Sequence, residues 1–384
     1  MTLSNPYDKI IDFTSKLVSI PSYETEKDVA DEVYKKLTEL GFKPEIIASD
    51  LDHPSVFCHI QKPGAKKTVW FEATLDTVEP GNMMKWDTNP LQPTQKGDNL
   101  YGLGVSDSKF AVAEFIYLAK SLYENPEFES SIFLGFDAAE QSGKFAGIRD
   151  VIEYVPECDL CILGYQDFNK IHIGARGWLR VKLVSVGVPA HSGRSGNVGV
   201  NAVHNMIKMI NEIMKINLKD FADEYFPYGP KINITQIKGG EAVNVIPDKC
   251  ECTIDIRLTP KLSPEDMITY LGNTLRNLQL QDTEIKYQFN IFQSEPAYLT
   301  DPNDKFVEIL FKNSKETLNP DIIIATSGPG SVGNLISQRF DIPIINAFGV
   351  RSDGVHAPNE YIDLSTVEPA FKTLEKSLIE WSKI

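Results

Sequence analysis

Long apolar runs are missing from this sequence. No stretch approaches the ~20 residues that a membrane-spanning helix needs, which argues against an integral membrane protein. Positive charge is also short: 38 Lys+Arg stand against 53 Asp+Glu, a formal net charge of -15. Such a surface repels phosphate backbones and anionic lipid heads, so no nucleic-acid or membrane partner is expected. Cysteine is scarce and odd in number, at five, which does not make a disulfide framework. Cys158-Asp-Leu-Cys161 and Cys250-Glu-Cys252 could be two halves of a zinc site. The first pair lies in an apolar run (CDLCILG), however, and the second alternates with charge on one strand face, so core packing is the stronger reading. Met1 to Lys9 has neither a basic n-region nor an apolar h-region, so a cytoplasmic location is expected.

What is present is a globular composition, 42% hydrophobic and 24% charged, over 384 residues. That length suggests two domains. Residues 25–40 carry Val29, Val33, Leu37 and Leu40 at helical spacing and stop at Gly41. Thr68 to Leu75 reads as a strand, 108–122 as an amphipathic helix and Ser131 to Phe136 as a buried strand. The alternation returns with helix 303–316, strand 321–325, helix 331–339, strand 342–348 and helix 364–382. Strands alternating with helices predict an α/β fold whose mostly parallel sheet is covered by helices. Between these halves come strand 179–186, helix 199–216, strands 231–237 and 249–257, helix 263–278 and strand 283–292. This β-α-β-β-α-β order predicts an inserted ferredoxin-like α+β domain. The expected division is 1–176 with 292–384 for the α/β domain, and 177–291 for the insert.

Ligands of an open α/β sheet gather beyond the carboxyl ends of its strands. The segments there are Thr74-Leu75-Asp76, Tyr101-Gly-Leu-Gly-Val-Ser-Asp107, Glu140-Gln141, Gly164-Tyr165-Gln166 and His356-Ala-Pro-Asn-Glu360. In the insert stand Ala190-His191-Ser192, Gly239-Gly-Glu-Ala-Val-Asn244 and Asp255-Ile-Arg257; Gly328-Pro-Gly330 follows. In this order the motifs resemble those of the zinc exopeptidases and aminoacylases that include acetylornithine deacetylase, succinyl-diaminopimelate desuccinylase, carnosinase and carboxypeptidase G2. The resemblance runs from about residue 8 to 381. It implies a zinc-binding α/β domain with an inserted lid that makes a homodimer.

The resemblance also implies a dinuclear zinc site, and here this sequence departs from the family. The position of the first ligand His holds Thr74, and those of two carboxylate ligands hold Gln141 and Tyr165. Asp107, the bridging position, and His356 match. Two of five ligands thus remain, too few for a tight zinc. Two carboxylates have become neutral as well, which fits a site without the charge of two metals. No cofactor is expected; the alternative is one zinc on Asp107 and His356, with Asp167 as a candidate third ligand. The other positions that the resemblance implies match better: Glu140 as general base, Asp76 as a further catalytic candidate, His191 to polarise a carbonyl, and Asn244, Arg257, Gly328 and Gly330 to hold the substrate. Arg257 suits a carboxylate because its planar fork binds two oxygens at once.

The expected function is metal-independent amide or acyl chemistry on a small amino-acid-like substrate: acyl transfer, amide formation or cleavage. The alternatives are a one-metal amidohydrolase or peptidase, and a non-catalytic binding protein.

Overall fold

The computed structural model describes residues 6–196 and 199–384. Two compact units share the chain: one comprises 1–174, 300–327 and 331–384, the other 175–299 with 328–330.

The larger unit is built on a sheet whose centre is parallel. Strand Thr68–Thr74 lies between Ser131–Asp137 and Leu160–Tyr165, and Ile344–Ala347 continues beyond the latter, each pair parallel. Antiparallel strands finish both sides: Glu45–Ile47 and Ser55–Ile60 beside 131–137, and Lys170–Ala175 beside 344–347. The central strands are buried along nearly their whole length, which is why they read as unbroken apolar runs rather than alternations. Helix α1 (Pro6–Val18) packs on α3 (Phe110–Glu124), and α9 (Val367–Ser382) packs on α3 and on α7 (Lys305–Thr317). Helices α2 (Lys27–Glu39), α4 (Ala146–Ile152) and α8 (Gly333–Arg339) cover other parts of the sheet. Gly41, at φ 89°, closes α2 in the left-handed turn expected of it. Gly164 lets α3 approach the sheet: a Cβ there would lie 2.7 Å from those of Ala111 and Ala73.

The helix expected from residue 108 begins later. Residues 105–109 form a kinked turn in which Asp107 and Ser108 leave helical φ/ψ and are joined by a cis peptide bond, and regular helix starts at Phe110. The Cys158 run is corrected in part, since its strand starts at Leu160 and Cys158 precedes it. All five cysteines are free and buried, and burial pushes the Cys158 thiol up to about 12, far from a metal-binding thiolate.

The smaller unit has the antiparallel strand order 231–239, 249–258, 177–186, 286–295. Two helices, α5 (Ala202–Ile213) and α6 (Pro264–Gln281), bury their apolar stripes on one face of this sheet together with Cys250 and Cys252. The β-α-β-β-α-β reading therefore holds element by element.

Candidate active site

Thr74, Glu140 and Tyr165 sit at or just past the carboxyl ends of three adjacent parallel strands, and His356 follows the fourth. Parallel neighbours end together, so the topology alone gathers these residues.

Asp76 ties the strand ends to one another. Its Oδ1 accepts from the Thr74 hydroxyl at 2.5 Å and from the Glu140 amide at 3.1 Å, while Oδ2 accepts from the Gln141 amide at 2.8 Å. Burial nonetheless raises its carboxyl to about 6, against the lowering effect of the Thr74 hydroxyl. Asp107 collects side chains. Its Oδ2 lies 3.2 Å from Gln141 Nε2 and 3.1 Å from His356 Nε2, and Oδ1 accepts from the Ser108 hydroxyl at 3.0 Å. That bond to Asp107 raises the His356 imidazole above its ordinary range, against the effect of its burial. His356 itself is in the left-handed region, at φ 60°, and its side chain is half-exposed.

Glu140 is 8% exposed, and its Oε1 accepts from the Tyr165 hydroxyl at 3.0 Å. Burial lifts this carboxyl well above the usual carboxylate range; the charges of Asp107 and Asp76 add to the shift and the Tyr165 bond opposes it. Beneath Thr74, Glu72 and Asp137 are fully buried on neighbouring strands, with Trp70 Nε1 donating to Glu72 at 2.7 Å. Burial moves both upward, Glu72 to about 8.

Besides Glu72 and Asp137, two more buried carboxylates with no role assigned from the sequence hold the site's turns. Glu360 accepts from the amides of Gly104 at 2.7 Å, Ser106 at 2.8 Å and Asp107 at 3.1 Å, and so fixes the turn that carries Asp107. Its place at the end of the His356 motif was the available signal. Glu26, before α2, reaches the amide of Ala139, and nothing in the local pattern marks it. Asp167 bonds His172 at 2.9 Å together with the amides of Asn169 and Lys170, so its oxygens are already engaged.

In the smaller unit, a two-residue pairing sets Ala190 opposite Ile246 and His191 opposite Val245, and Ser192 donates to the Asn244 carbonyl at 2.9 Å. His191 and Asn244 are therefore near each other, and both are exposed. Arg257 donates to Asp255 at 2.8 and 3.3 Å, and Arg180 shares that carboxylate at 3.0 Å. Gly328 has open space at its Cα, whereas a Cβ on Gly330 would fall 2.1 Å from the Trp178 ring.

Residues 173–283 match the peptidase dimerisation domain of the M20 family. Curated relatives extend the similarity over almost the whole chain. The succinyl-diaminopimelate desuccinylase of Helicobacter pylori is 28% identical, covering 93% of this chain and 95% of its own. That of Pelagibacter ubique is 26% identical over 96% and 97%. The chain is thus similar to M20 peptidases, through its dimerisation domain and through relatives along nearly its whole length. Solved structures share its fold: a tripeptidase from Staphylococcus aureus (TM-score 0.80, 20% identity, 98% and 99% covered) and an M20 family metallo-carboxypeptidase from Sulfolobus solfataricus (0.79, 20%, 98% and 100%). Among the described residues no helix is long and apolar enough to cross a membrane.

The dinuclear zinc implied by the family resemblance can be tested against the donors present. Thr74, Gln141 and Tyr165 bring neutral groups. The Gln141 amide and the His356 ring are both turned on Asp107, and the Tyr165 hydroxyl is turned on Glu140. Among the described residues no group of three or more His, Cys, Asp or Glu side chains is arranged to hold a metal ion. This donor set does not fit two zinc ions.

Proposed function

We propose that this protein acts on an amide or acyl bond of a small amino-acid-like substrate, with Glu140 as the proton acceptor and without a dinuclear zinc centre. The observation that carries the reading is the pairing of buried Glu140 with the Tyr165 hydroxyl, beside an Asp107 engaged by Gln141, His356 and Ser108. Glu140 takes a proton from the attacking water or amine as the new bond to the carbonyl carbon forms, and returns it to the departing amine, alcohol or thiol as the old bond breaks; Tyr165 donates its hydroxyl to the same carboxylate. His356, oriented by Asp107, is the group available to meet the charge that develops on the carbonyl oxygen. Making and breaking the bond use the same proton transfer in opposite directions. Asp76, which the sequence offered as a catalytic group, has its oxygens committed to Thr74 and two amides and is assigned a positioning role. Within the smaller unit, His191 is kept as the candidate to polarise a carbonyl, and Asn244, Arg257, Gly328 and Gly330 as candidates to hold substrate.

Names among the relatives support chemistry at an amide bond. A one-zinc hydrolase would have to draw on Asp107 and His356, two of the five family ligand positions and too few for a tight zinc without a third donor. A pure binder would have no need to keep the general-base position, Glu140, beside replaced ligand positions. The test is a screen of N-acyl amino acids, short peptides, and activated acyl donors with amines, each with a chelator and with zinc. Turnover that persists with chelator supports the reading; turnover only with added zinc overturns it.

A further inference from the structure

The turn that aims Glu140 is not stable by itself. Ala139 has φ 55°, a left-handed conformation that a residue with a Cβ adopts only against its steric preference. Groups outside the turn must hold it there. Asp76 takes the amides of Glu140 and Gln141, and the Ala139 carbonyl accepts from the Phe145 amide at 3.2 Å and the Ser142 hydroxyl at 2.9 Å. The remaining group, the Ala139 amide, donates to Glu26 Oε1 at 3.2 Å.

Glu26 is placed for this task. It is 2% exposed and stands at the start of α2, yet its side chain makes no capping bond to that helix. Its second oxygen, Oε2, lies 2.7 Å from His53 Nδ1, on a side chain 32% exposed. The loop that carries His53 is tied to the same helix start: the Thr25 hydroxyl donates to the Asp52 carbonyl at 2.5 Å, and Lys27 pairs with the Asp52 carboxylate. A buried carboxylate with one oxygen on a strained amide and the other on a ring nitrogen has little freedom to move.

We propose that Glu26 is a positioning residue for Glu140: it holds Ala139 in the left-handed turn, and His53 fixes the Glu26 carboxylate from the solvent side. The geometric part stands independently of the chemistry; only an effect on turnover rests on the reading of Glu140 as proton acceptor.

Backbone amide exchange on the full chain, followed by mass spectrometry or NMR, tests the proposal. Glu26→Asp keeps the charge but is one methylene too short to reach both partners. It is expected to speed exchange at Ala139, Glu140 and Gln141 by about tenfold or more, with strands 68–74 and 131–137 unchanged. Glu26→Gln retains an acceptor for the Ala139 amide and should stay within about twofold of wild type there. His53→Ala, at a partly exposed position, should shift the same three amides by a few-fold. Unchanged exchange in Glu26→Asp overturns the proposal. So does an equal rise across the whole chain in Glu26→Asp and Glu26→Gln, which would mark a merely structural residue. On a responsive substrate, Glu26→Asp should lower kcat and leave KM unmoved. Failure of the proton-acceptor reading shows separately, as full turnover in Glu140→Gln.

Discussion

The Tyr165 hydroxyl donates to Glu140 Oε1 across 3.0 Å, linking the ends of two strands that both neighbour Thr68–Thr74. Each residue therefore reports on the other. Glu140→Gln should lower turnover by about a hundred- to ten-thousand-fold with substrate binding nearly unchanged. Tyr165→Phe, which removes one hydrogen bond to the carboxylate, should lower it by about tenfold. Steady-state kinetics of both variants and of the double variant check this; full turnover in Glu140→Gln would move the chemistry to Tyr165, Thr74 or His356.

Metal content is a second test. Protein purified without added zinc should carry well under two zinc ions per chain by elemental analysis, and chelators should leave its Tm unchanged. Two ions per chain would contradict the assignment of Thr74, Gln141 and Tyr165 as metal-free positions.

Glu114, buried in α3, gives a pH dependence that is separate from the site. Burial raises its carboxyl from 4.5 to about 8 in the folded chain. The folded state therefore holds a proton that the unfolded state has released, and the stability this group contributes is full below about 4.5 and lost as pH rises through about 8. Glu114→Gln should be more stable than wild type at pH 8, and the difference should vanish by pH 4, as measured by urea unfolding at each pH. An equal difference at both pH values would show that Glu114 does not titrate there.

Arg257 is held by Asp255, which Arg180 also engages, so one carboxylate faces two guanidinium groups and a ligand carboxylate would balance the excess. Arg257→Ala should weaken binding of a carboxylate-bearing ligand by about 2–5 kcal/mol. Calorimetry against the same ligand as its neutral amide, which should lose little, provides the control.

The match of residues 173–283 to a dimerisation domain leads to the expectation of a homodimer in solution. Light scattering at micromolar concentration should give twice the mass of one chain; a fully active monomer would refute it.

Much of this architecture was legible because burial writes itself into sequence. Strands 68–74 and 131–137 are covered on both faces and show as solid apolar runs, and the insert announced its element order through plain changes of period. The short strand Glu45–Ile47 was not legible: three residues, two of them exposed, carry no pattern above noise. At the site, the residues next to glycines and at strand ends could be found, since turn chemistry marks them. Glu26 could not, because its partner lies 113 positions away in the chain and a single acidic residue before a helix reads as ordinary N-terminal charge.

The allotment of residues 328–330 to the smaller unit has a consequence for anyone who would treat that unit as an exchangeable cassette. The Trp178 ring is covered by Gly330, a residue reached only after the chain has run through α7 and strand Ile323–Ser327 of the other unit. A graft cut at 175 and 299 would leave that indole face bare, and a recipient would need its own Gly-Pro-Gly in register to close it. Shuffling these halves between homologues thus demands two junctions and a matched tripeptide.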